Sequence, residues 1–88
     1  MSGPSTNDAT ALALQALAAT IGDQRLADRF LSLSGITPPE LRQLAASPAL
    51  LAALLRFLES HEPDLIEVAG TIGVKPEVLV AARRELEG

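Results

Sequence analysis

The stretch Ser47–Ser60, SPALLAALLRFLES, decides the fold. Ser47 carries a hydroxyl that can accept a bond from a free N–H of a first helical turn. Pro48 follows at the first helical position, where its missing N–H costs nothing. Leu50, Leu51, Leu54, Leu55, Phe57 and Leu58 come next. At about 100° per residue they span an arc of roughly 160°, wider than the apolar stripe of an ordinary surface helix. Only Ala49, Ala52, Ala53 and Arg56 fill the remaining side. A helix this apolar needs cover from several neighbours, so it is expected at the centre of a small all-α domain. The expected architecture is a compact bundle of five to six short helices around it.

Signals to either side divide the chain into such helices. Asn7 or Asp8 can cap a first helix ending near Thr20, with Ala11, Leu14, Leu17, Ala18 and Ile21 inward and Leu12 nearly opposite them. Gly22 stops it. Asp23 can cap a second helix to about Ser34, with Leu26, Phe30 and Leu33 inward and Arg25, Asp28 and Arg29 outward. Thr37-Pro38-Pro39-Glu40 combines a capping hydroxyl, an early proline and a glutamate at the third position. It opens a short third helix with Leu41, Leu44 and Ala45 inward. After the central helix, Pro63 reopens a helix presenting Leu65, Val68, Ala69 and Ile72. The last helix runs from about Pro76 to Leu86 and offers Val78, Leu79, Ala82 and Leu86. Gly35-Ile36-Thr37-Pro38 and Gly73-Val74-Lys75-Pro76 share one form, which helix-stop and helix-start chemistry explains without invoking a repeat.

Composition narrows the function classes. With 88 residues the chain suits one small domain, and residues 1–6 read as a flexible tail before a single helical domain over 7–88. Hydrophobic residues are 48% of the chain and aromatic ones 2%, so the core rests on Leu, Ala, Ile and Val. The absence of cysteine excludes disulfides and thiolate metal sites, and suits a cytoplasmic location. A net charge of −4 disfavours non-specific binding to nucleic acid or anionic lipid. No apolar run reaches the roughly 20 residues of a membrane span. The start, MSGPSTND, lacks a basic region leading into an apolar one and does not read as a signal peptide.

Chemistry-bearing patterns are sparse. His61, the only histidine, sits among Glu59, Glu62 and Asp64, and reads as part of a solvated junction whose acids favour the next helix start. Neither a nucleophile elbow nor a phosphate-binding loop is present. No catalytic residue, metal ligand or cofactor is expected.

The sharpest local pattern is Ala69-Gly70-Thr71-Ile72-Gly73-Val74-Lys75-Pro76-Glu77-Val78-Leu79, which resembles a helix-turn-helix. DNA contacts would then fall to Lys75, Arg83 and Arg84. Glu77, Glu85 and Glu87 share that segment and cancel its charge, and Glu77, Val78 and Val80 stand where base-reading side chains are normally found. DNA binding is therefore the weaker alternative. The preferred reading is a non-catalytic helical interaction or regulatory module, its partner a second copy or another protein. Its candidate surface is apolar excess beyond the expected inward faces: Leu12, Leu50, Phe57 and Val80.

The segments ALALQALA (Ala11 to Ala18), RFLSLSGITPPELRQLAASP (Arg29 to Pro48) and LLRFLESHEPDLIEVAGTIGVKPE (Leu54 to Glu77) resemble a family of short alphaproteobacterial proteins. That family is known as a domain of unknown function. The resemblance implies a compact helical bacterial protein and carries over no catalytic or binding residue.

Overall fold

Local capping chemistry sets most of the helix boundaries in the computed structural model, which describes residues 6–88. Six helices follow one another: α1 (Thr6–Ile21), α2 (Gln24–Ser34), α3 (Pro38–Leu44), α4 (Pro48–Glu59), α5 (Glu62–Ile72) and α6 (Pro76–Glu87). Among the described residues there is no strand. The tail expected over residues 1–6 lies outside the described residues except for Thr6, which opens α1. Asn7 and Asp8, expected as caps, therefore stand inside the first turn.

The other starts follow the expected chemistry. Asp23 accepts bonds from the N–H groups of Arg25 and Leu26 at the head of α2. Thr37 and Glu40 form a reciprocal capping box: the Glu40 N–H donates to the Thr37 hydroxyl at 3.3 Å, and the Thr37 N–H donates to the Glu40 carboxylate at 3.0 Å. Ser47 accepts from the Leu50 N–H at the head of α4. The two similar junctions share one geometry. Gly35 and Gly73 end α2 and α5 in the left-handed conformation, with φ of 73° and 78°. A side chain at either would meet no neighbour within 4 Å, so backbone conformation alone calls for glycine there.

As its arc requires, α4 is the most deeply buried element. Leu51, Leu54, Leu55 and Leu58 are wholly inaccessible, and Leu50, Ala52 and Phe57 are also buried. It packs against α1, α5 and α6, and α1 in turn lies against α6. Phe30 meets Phe57 edge to face with ring centroids 5.3 Å apart, an arrangement that adds to plain area burial. Among the described residues no single helix is long and apolar enough to cross a membrane; α3 and α4 reach that length only together, across a bend of 117°.

The orientation of α1 departs from expectation. Its buried face is Ala9, Ala13, Ala16, Leu17 and Thr20. Of the five residues expected inward, only Leu17 is buried; Ala11, Leu14, Ala18 and Ile21 are exposed. Close packing explains the choice. Alanines at Ala9, Ala13 and Ala16 let α1 approach its neighbours with little side chain between backbones, which leaves Leu14 and Ile21 on the outer side. The Thr20 hydroxyl, also buried, donates to the Ala16 carbonyl at 2.8 Å and needs no other partner. Leu33 and Leu44 are corrected in the same sense: both were expected inward and both are exposed, Leu33 at 74%. They stand on α2 and at the end of α3, two elements outside the mutual packing of α1, α4 and α6.

Candidate functional site

Two networks of charged side chains join the helices. Arg25 and Arg29, one turn apart on α2, were expected to face solvent. Arg25 is exposed and Arg29 half-buried, and both reach Asp64 of α5: Arg29 Nη1 donates to its carboxylate at 2.7 Å and Arg25 Nη1 lies 3.6 Å from it. Asp64 is 2% exposed, so the solvated-junction reading fails for this residue. Burial of the carboxylate is compensated by two guanidinium groups and by its place in the first turn of α5. The Arg29 guanidinium also lies 5.4 Å from the centroid of the Phe57 ring. His61 and Glu62 remain exposed, as expected.

A second network joins α4 to α6. Arg83 donates to Glu59 through Nε at 2.8 Å and Nη2 at 3.1 Å, and to Glu87 at 2.9 Å. Arg56 reaches the same Glu87 at 3.0 Å. These bonds, from Arg56 first and Arg83 second, hold the Glu87 carboxyl below its usual range, and the bonds to Glu59 and Glu87 raise Arg83. Glu40 is likewise lowered by the backbone N–H and then the hydroxyl of Thr37. Each perturbation has a structural partner, and none of the three groups lines either of the two grooves described below. Among the described residues no group of three or more His, Asp or Glu side chains is placed to hold a metal ion.

The residues singled out for interaction separate. Leu50 and Phe57 lie in the core, covered by the chain's own helices. Leu12 and Val80 are half-buried against that core. Leu12 lines a groove of about 230 Å³ between α1 and α6 with Val78 and Ala81. Phe57 and Phe30 floor a second groove of about 300 Å³, rimmed by Leu33, Ala53 and Arg56. The four residues therefore form no common surface. Of the candidate DNA contacts, Lys75 and Arg84 are exposed on α6 or at its cap, while Arg83 is turned toward Glu59 and Glu87 with a side chain only 15% exposed.

The model of the family described as "Protein of unknown function (DUF3572)" matches residues 6–88. The chain belongs to this family. No curated protein and no solved structure matches it. The family description assigns no residue a role.

The surface that sequence reasoning missed is the outer face of α1. Ala11, Leu14, Ala18 and Ile21 stand at spacings of three, four and three residues, and at about 100° per residue they share an arc of roughly 80°. All four are exposed, Leu14 at 38% and Ile21 at 40%. No charged residue occurs from Ala9 to Gly22. The signal was present in the sequence, where the same residues were marked as an apolar face, and only its destination was misassigned. An uncharged apolar face can exclude water against another apolar surface; it has no group able to move a proton or bind an ion.

Proposed function

We propose that the protein is a small non-catalytic helical interaction module whose contact surface is the outer face of α1. The observation that carries this is the exposed strip Ala11, Leu14, Ala18 and Ile21 on a stretch, Ala9 to Gly22, that has no charged residue. Contiguous apolar surface on a small domain favours a partner because each buried side chain is removed from water. The arginines and glutamates of the two ion-pair networks serve α2–α5 and α4–α6 packing, which leaves them structural work rather than catalysis. A cysteine-reactive photo-crosslinker tests the reading, since the chain has no cysteine of its own. Attached to purified Ala18→Cys chain and mixed with extract of cells that naturally make it, it should give protein adducts that the same probe at exposed Ser32→Cys on α2 does not. Equal adducts from both sites, or none from Ala18, would contradict the reading.

Duplex DNA binding has one observation in its favour. The turn between α5 and α6 has the left-handed Gly73, with Leu79 buried beyond it. The diversion of Arg83 into ion pairs weighs against it. Fluorescence anisotropy with mixed-sequence duplex at low salt separates the two. The module reading expects a flat titration, and micromolar binding lost on alanine replacement of Arg83 and Arg84 would replace it with the DNA reading.

A further inference from the structure

Resting on the reading above, we infer that the occupant of the α1 face is a second copy of this chain, packed antiparallel, α1 against α1. Side-chain sizes alternate along the strip: small, large, small, large, at Ala11, Leu14, Ala18 and Ile21. A two-fold axis passing beside residue 16 sets Ala11 opposite Ile21 of the second copy and Leu14 opposite its Ala18. Every layer then joins one large and one small side chain, the alternation that lets facing layers interdigitate without voids or overlap. A parallel pair in register would set leucine on leucine and alanine on alanine, crowding one layer and leaving a gap in the next. A two-fold contact must complement itself, and this strip does so only in the antiparallel sense.

Charge points the same way. Two copies carry the same net charge, −4 each, so most pairs of faces repel. From Ala9 to Gly22 the helix has no charge, and two copies approach there without a like-charge pair. Gln15, exposed beside the strip, falls close to its counterpart across the axis. Its amide is both donor and acceptor and can pair with a copy of itself. The strip is about 15 Å long at 1.5 Å per residue. One such helix pair falls short of the about 800 Å² per partner of a standard stable interface. The dimer is accordingly a weak one, populated at high micromolar concentration and dissociated when dilute.

Two measurements on the full chain test this. Sedimentation equilibrium should show monomer at low micromolar concentration and a growing dimer fraction toward high micromolar, and Ala18→Glu should remove the dimer while leaving far-UV helicity intact. Mixing Leu14→Cys protein with differently tagged Ala18→Cys protein under mild oxidation should give the mixed disulfide in severalfold excess over either same-site dimer. A wild type that stays monomeric throughout would overturn the second-copy inference. So would same-site disulfides equal to or exceeding the mixed one, which would mean another register. Either failure leaves the photo-crosslinking result at Ala18 to decide separately whether another protein uses the face.

Discussion

Single residues carry two of the fold's less replaceable features. The first is Asp64, a buried carboxylate whose partners, Arg29 and Arg25, lie on a helix far away in sequence and are themselves partly exposed. Removing the Arg29 guanidinium leaves the buried carboxylate with only the longer 3.6 Å contact to Arg25, whereas removing the carboxylate leaves guanidinium groups that water can reach. Arg29→Met should therefore cost more than Asp64→Leu, about 1.5–3 kcal/mol for the former. Urea denaturation of both variants measures this, and a larger loss for Asp64→Leu would contradict the assigned roles. The second is Gly73, whose φ of 78° penalises any Cβ although the space around it is open. Gly73→Val should cost more than about 1 kcal/mol through backbone conformation alone. A loss below about 0.5 kcal/mol, the size of an ordinary surface change, would show that the turn relaxes freely.

At the scale of the element, α4 makes the strongest stability prediction. Leu54 and Leu58 are both fully inaccessible, and replacement of either by alanine should cost about 2–5 kcal/mol by chemical denaturation. This helix and the caps around it were legible in the sequence because their causes are local. Ser47, Thr37 with Glu40, Asp23 and the two left-handed glycines each act within four residues of themselves. The face of α1 was not legible, because a helix with apolar residues on every side has no polar face to mark the outside. Taking the larger residues as inward chose Leu14 and Ile21, while close packing selected Ala9, Ala13 and Ala16. The Arg29–Asp64 pair was hidden for a related reason: the partners are 35 residues apart, and only the packed fold brings them together. With Ala9, Ala13 and Ala16 inside, the strip expected in the core is left exposed among the described residues.

For the whole molecule, acid should destabilise the fold through at least two carboxyls. Glu40 and Glu87 titrate below their usual range in the folded chain. Their contribution is therefore complete above the unfolded value, near pH 4.3 for a glutamate. It is lost as the pH falls through the lower folded values. Urea midpoints across the acid range should decline, and less steeply in a Glu40→Gln, Glu87→Gln double variant; an identical slope would show that these two bonds do not report on global stability. The molecule holds α1 with Ala9, Ala13 and Ala16 inward and Ala11, Leu14, Ala18 and Ile21 outward. Thiol labelling tests it most directly, at low micromolar concentration where copies are separate. Ala18→Cys should react nearly as fast as an unfolded control, and Ala16→Cys, which labels only when the helix opens, at least about a hundredfold more slowly. Equal rates, or protection of Ala18 with free reaction at Ala16, would contradict the account.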